Sequence, residues 1–175
     1  MATSKQDSEL VLPQGQKYHV HFLYSYPRAG QERTPNQKKA LDFGKFLAES
    51  LKQWGISKIY FHEENALPGT NVFDELSRVS DESVWTFPII TEDFTQNSWD
   101  QFCAQHAFKT KLDNNNRNRT VPFLIGEANL PREYNTIIPI QFDSRQEKWK
   151  ESRNELENLR TVLLTSFSAR NPQDS

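Results

Sequence analysis

Few side chains in this sequence could carry chemistry. The single cysteine, Cys103, precedes His106 by three residues, a spacing that puts both on one helix face. A thiolate activated by a neighbouring imidazole is a nucleophile. The plainer expectation is a buried thiol beside a partly buried ring, because free cysteine packs as a small apolar group. His19 and His21 alternate along an apolar run and so share one strand face. No cysteine or acid adjoins them in sequence, so they read as packing or capping residues rather than zinc ligands. The acids Glu92 and Asp93 close the third apolar run and read as solvated loop acids. A phosphoacceptor site would need acids clustered after the first apolar run, where Ser25-Tyr26 stands instead. Pro27-Arg28-Ala29-Gly30 is too poor in hydroxyl residues to cradle a flavin phosphate, and neither a Walker A nor a GxGxxG pattern is present. The Asp113–Thr120 stretch, with Asn114-Asn115-Asn116 and two arginines, reads as a solvated turn. No metal or cofactor is expected.

The remaining distinctive segment is Glu63-Glu64-Asn65-Ala66-Leu67-Pro68-Gly69. Pro68 fixes φ and Gly69 accepts the positive φ of a tight turn, giving a stiff acidic loop over Phe61 to Thr70 with an aliphatic tip at Leu67. Such a loop is either a binding element or only a connector.

What positions that segment follows from hydrophobic periodicity. Tyr18 to Tyr26, Ile56 to Phe61, Val84 to Ile90, Val121 to Ile125 and Thr136 to Phe142 read as five short strands. Pro88 argues for a bulge or strand end within the third. Ala40, Phe43, Leu47, Leu51 and Trp54 mark a helix over Asn36 to Trp54, stopped by Gly55. Further helices are expected over Asn71 to Ser80, Ser98 to Leu112 and Arg145 to Ser166, the last with Trp149, Leu156, Leu159 and Leu163 on one stripe. Lys148, Lys150 and Arg153 alternate there with Glu147, Glu151 and Glu155, as on a solvated face. Strands alternating with helices argue for an α/β fold: a flavodoxin-like, five-stranded parallel sheet in the order 2-1-3-4-5 with helices on both faces. Functional loops then lie at the C-terminal strand edges.

At 175 residues the chain suits one domain over 17–167, between a flexible lead-in (1–16) and a flexible tail (168–175). A net charge of −2 leaves no footprint for nucleic acid or an anionic membrane. One cysteine excludes an internal disulfide and fits a reducing, cytoplasmic setting. Nothing in the sequence suggests direct membrane insertion.

Three ordered segments together resemble the Toll/interleukin receptor (TIR) domain. Phe22-Leu23-Tyr24-Ser25-Tyr26 is similar to the family's first box. Glu63 to Gly69 is similar to the second, the BB loop. Ile89-Ile90-Thr91-Glu92-Asp93-Phe94, followed by Ser98-Trp99, is similar to the third strand and the entry to the next helix. The resemblance runs from about Tyr18 to Leu164. Within the family, Ser83-Val84-Trp85-Thr86 and Trp149-Lys150-Glu151-Ser152-Arg153 look most like TRIF/TRAM-type adaptors; a TIR domain fused to an animal STING-like protein is another setting. The resemblance implies a scaffold for innate immune signalling that binds other TIR domains through Glu63, Glu64, Asn65, Ala66, Leu67, Pro68 and Gly69, with weak self-association. Glu63 and Glu64 would steer the loop towards a basic partner surface. NAD-cleaving relatives carry a catalytic glutamate four residues after the tryptophan that opens the helix. Counted from Trp99 that position is Cys103, so the resemblance implies a binding module, with an NAD-cleaving enzyme as the alternative.

Overall fold

The chain runs β1 (Tyr18–Leu23), α1 (Pro35–Gln53), β2 (Ile59–Tyr60), α2 (His62–Asn65), α3 (Val72–Glu82), β3 (Ser83–Ile90), β4 (Arg119–Thr120), β5 (Phe123–Ile125), β6 (Ile140–Phe142) and α4 (Arg153–Ser168). This is a computed structural model, and it describes residues 9–27, 30–66, 68–69, 72–95 and 119–168. The expected helix from Ser98 to Leu112, with Cys103 and His106, lies outside the described residues, as do most of the Asp113–Thr120 turn, Leu67 and 169–175.

All pairings are parallel, in the order β2-β1-β3-β5-β6, with β4 also on β3. The central strand β3 is buried over all eight residues, as its apolar run requires when both faces are covered. β4 and β5 are one strand interrupted once. Thr86 pairs with Thr120 and Ile89 with Phe123, so the register carries across the gap and sets Pro88 against Pro122. Thr86 accepts from the Val121 N–H, so the ladder edge of Thr86, and of Pro88 two residues on, faces β4 and β5. Proline has no N–H to give there. Pro88 therefore sits in mid-strand rather than at a bulge or end, and its missing donor breaks the neighbouring strand instead. With that strand counted once, the order is the expected 2-1-3-4-5.

α1 starts where Thr34 caps it. The Thr34 hydroxyl accepts from the Gln37 N–H at 3.1 Å, the Gln37 side chain accepts from the Thr34 N–H at 2.9 Å, and Pro35 occupies the first turn. Its stripe of Ala40, Phe43, Leu47 and Leu51 is buried, with Trp54 half-buried at the C-terminal end. Phe43 is the centre of the larger core, its ring 4.8 Å from Phe142, 5.2 Å from Trp149 and 5.6 Å from Phe123. Burying it fully contributes on the order of 2–3 kcal/mol. α4 closes this face with Leu159, Leu163 and Phe167. Strand alternation sends Leu23, Ile90 and Leu124 to the opposite face, into a smaller cluster with Ala128 and Tyr134.

Several boundaries differ from the sequence reading. β1 stops at Leu23 rather than Tyr26, and β2 is two residues long because the Ile56 N–H closes on Leu51 at the end of α1. β6 begins at Ile140, since 3-10 and turn hydrogen bonds, Asn135 to Arg132 and Ile137 to Tyr134, occupy the preceding backbone. The last helix is not continuous from Arg145. A 3-10 segment, Gln146–Glu151, precedes α4, because the Trp149 indole donates to the Asp143 carbonyl at 2.7 Å while its ring packs on Phe43. Part of the expected lead-in is docked. The Leu10 N–H donates to Gly55, and Leu10 and Leu12 pack against the core.

Candidate functional site

The segment 61–69 leaves the C-terminal end of β2, at the sheet edge where short connections emerge. Phe61 fixes its exit: its ring stacks on Phe22 at 4.9 Å. Beyond it the chain does not form an open loop. His62–Asn65 makes one helical turn, with the Asn65 N–H on the Phe61 carbonyl at 2.8 Å and the Ala66 N–H on the His62 carbonyl at 3.1 Å. The Asn65 side chain accepts from the Phe61 N–H at 2.8 Å. Glu63 and Glu64 lie in the first turn, where the backbone dipoles favour negative charge, and Ala66 returns to extended geometry two residues before Pro68.

Glu63 does not stand free to steer a partner. The Arg33 guanidinium donates to both of its oxygens, Nη1 to Oε1 at 2.9 Å and Nη2 to Oε2. That hydrogen bonding holds the Glu63 carboxyl below the usual carboxylate range, outweighing its partial burial. The Glu64 side chain is the more exposed of the two acids, with Lys45 Nζ 3.9 Å away. Beneath the turn, His62 stacks on Tyr26 at 4.6 Å. Burial, then the Glu63 charge, pushes Tyr26 up to about 12. The Tyr60 hydroxyl donates to Glu75 Oε1 at 3.3 Å, and Arg78 donates to the same oxygen at 2.6 Å, so the buried Glu75 carboxylate is paired.

The two strand histidines share a face, as the alternation requires, and have different surroundings. The Lys58 N–H donates to His19 Nδ1 at 3.1 Å, and Nε2 donates to the Leu10 carbonyl at 2.7 Å, which is the neutral ring fully used. His21 is 0% exposed, edge-on to Tyr60 at 5.5 Å, and among the described residues neither ring nitrogen has a hydrogen-bond partner. Burial first, and the neighbouring His62 second, lowers it to about 3. No group of three or more metal-ligating side chains occurs among the described residues.

At the tip, Pro68 and Gly69 are exposed, and Gly69 takes φ +82° with open space where a Cβ would stand. Of the seven expected site residues, the structure places Glu63, Glu64, Asn65 and Ala66 on the pinned turn and Pro68 and Gly69 at its exposed end; Leu67 is outside the described residues. Sequence reasoning missed Arg33, Tyr26 and His62. Arg33 carried no signal because its bond spans two separate connections. Tyr26 reads in the sequence as a strand end, and in the structure it lies beyond β1 as the platform for His62.

At the opposite edge of the sheet, the ends of β3, β5 and β6 frame an open groove of about 660 Å³. Glu92, Glu127, Asp143 and Glu155 line it, with Arg145 bound through two nitrogens to Asp143 at 3.0 Å. Glu92 and Asp93 are exposed there, as read from the sequence. Among the described residues no helix is long and apolar enough to cross a membrane.

A profile for the TIR domain matches residues 36–157. Sequence comparison with curated proteins finds no match. Among solved structures, the chain is similar to a metazoan TIR-STING receptor from C. gigas, at TM-score 0.58 and 21% identity over 89% of this chain and 43% of that one. The same receptor in complex with 2',3'-cGAMP matches at TM-score 0.57 and 17% identity, over 87% of this chain and 42% of that one. This chain thus spans less than half the length of those receptors. The TIR domain of the Toll-related receptor TRR-2 from Hydra magnipapillata matches at TM-score 0.50 and 16% identity, over 81% of this chain and 99% of that one. At these identities the likeness is one of fold, and none of the matches singles out an adaptor subgroup.

Proposed function

This chain belongs to the TIR domain family, and from that premise we propose that it is a cytoplasmic scaffold of innate immune signalling that associates with other TIR domains through Glu63 to Gly69. The observation that carries this reading is the exposed Pro68-Gly69 turn at the end of a segment held by Asn65 and Glu63. A contact element already fixed in shape loses little further freedom when it binds. Pro68 supplies apolar contact, and Glu64, rather than the neutralised Glu63, supplies charge. The loop would enter a groove near the opposite sheet edge of a neighbour, a heterologous contact that propagates rather than closes. In a second copy of this chain that groove is lined with carboxylates, which repel Glu64. Self-association is therefore weak, a partner with a more basic groove is preferred, and clustering supplies avidity.

Pro68→His tests the reading. The variant is expected to keep its circular dichroism and unfolding midpoint while losing self-association in sedimentation and losing signalling output in a reporter assay. A folded variant with both unchanged defeats the proposal. The same reading makes the chain a non-enzyme, because a thiol at Cys103 cannot replace the carboxylate that the family's NAD chemistry uses. Incubating the concentrated domain with NAD should release no nicotinamide. Turnover that survives Cys103→Ala and disappears with Glu92→Ala would establish the NAD-cleaving alternative.

A further inference from the structure

We propose that Arg33, thirty residues upstream of Glu63, is a positioning residue for the partner-binding loop, so that the connection before α1 sets the shape of a surface it is not expected to belong to. The guanidinium meets the carboxylate fork to fork. Two parallel N–H to oxygen bonds fix the rotation of the Glu63 side chain as well as its distance. Glu63 in turn lies within the helical turn that Asn65 closes, so restraining its side chain restrains the backbone leading to Pro68.

Arg33 can serve as an anchor because its own position is set. The next residue, Thr34, is the cap of α1, locked by the reciprocal pair with Gln37 and followed by Pro35. Gln37 also reaches the Ser25 hydroxyl at 3.4 Å, tying the start of α1 to the end of β1. The Arg33 and Glu63 side chains are 27% and 23% exposed, so water competes for the pair less than at an open surface. The contrast with Lys45 and Glu64 is instructive: a single 3.9 Å approach between side chains more than half exposed imposes no orientation. A lysine at position 33 would bring the charge without the fork.

The structural half of this inference stands alone, and its consequence for binding rests on the loop being the contact element. The test is residue-resolved amide hydrogen exchange on the whole chain. Arg33→Ala is expected to speed exchange at Asn65 and Ala66 by roughly three- to tenfold, with the β3 amides unchanged. Arg33→Lys should recover only part of the protection, and the exchanged pair Arg33→Glu with Glu63→Arg should recover most of it. Unchanged exchange at Asn65 and Ala66 in Arg33→Ala overturns the inference, as does equal loosening of β3, which would mean general destabilisation. Sedimentation of the same variants separates the two readings. Faster loop exchange with lost self-association, both restored by the exchanged pair, supports both. Faster exchange with unchanged self-association keeps Arg33 as the anchor and removes the loop from the interface.

Discussion

Replacing His21 by leucine should flatten the acid sensitivity of this domain. His21 is wholly buried, without a hydrogen-bond partner among the described residues, and burial lowers its folded-state pKa to about 3, against 6.5 for an ordinary histidine. A depressed folded value means that the unfolded chain binds the proton and the native state refuses it. The native state is therefore fully favoured above 6.5 and loses stability as pH falls through that value towards the folded one. Over the interval from about pH 7 to about pH 5 the linkage gives a loss of about 2 kcal/mol for this one ring. That figure is set by the unfolded value and is the same for any folded value well below the lower end. Carboxylates with lowered values, such as Glu63 and Asp143, contribute mainly at more acid pH. His19 and His62 are also lowered, chiefly by burial, and add losses of the same sign that the variant retains. Urea unfolding followed by tryptophan fluorescence at several pH values in that interval measures the difference. His21→Leu should decline less than the parent by about 2 kcal/mol, a large share of a typical domain's stability. Leucine leaves no buried donor or acceptor behind, so the comparison carries no new unsatisfied group. Identical declines in the two proteins would refute the reasoning.

Two further substitutions probe the frame. Gly126 takes φ +72°, and a Cβ there would approach Glu92 and Ser144. Gly126→Ala is expected to cost about 1–2 kcal/mol in denaturant unfolding, mostly from the backbone, because the exposed Glu92 side chain can withdraw. Thr34→Ala removes the hydroxyl cap and one arm of the reciprocal pair, and should lower stability by about 1 kcal/mol in the same assay. It should also raise loop exchange at Asn65, since Arg33 hangs from that cap. Thr34→Ser, which keeps the oxygen, should leave both measurements near those of the parent.

Much of the frame was legible because its signals are local. Ala40, Phe43, Leu47 and Leu51 announce the buried face of α1, and the nearly all-apolar run ending at Ile90 announces a strand covered on both sides. Errors arose where a distant group decides the local outcome. Trp149 looked like one more residue on a helical stripe, but its indole is claimed by Asp143 and its ring by Phe43, so the backbone tightens there before α4. Pro88 reads as a bulge or strand end because the sequence does not show that its missing donor would interrupt the neighbouring strand instead. At the candidate site, Pro68 and Gly69 were legible as a turn from backbone chemistry alone. The role of Glu63 was not: whether an acid steers a partner or is tied internally depends on Arg33, and no periodicity links the two.

The parallel register has a kinetic consequence. Every strand pair in this sheet joins residues far apart in sequence, and the central pair is the most demanding, since Val20 meets Trp85 whereas Phe123 meets Ile140. Closing the longer loop costs about 1 kcal/mol more in chain entropy than closing the shorter one. The middle of the sheet, which is the most buried part of the finished molecule, is thus the part that chain statistics bring together last. A nascent chain can pair β1 only on one edge, with the two-residue β2, until β3 has been made. The polar cover of α1, which follows β1 directly and packs on the same residues, shields it meanwhile.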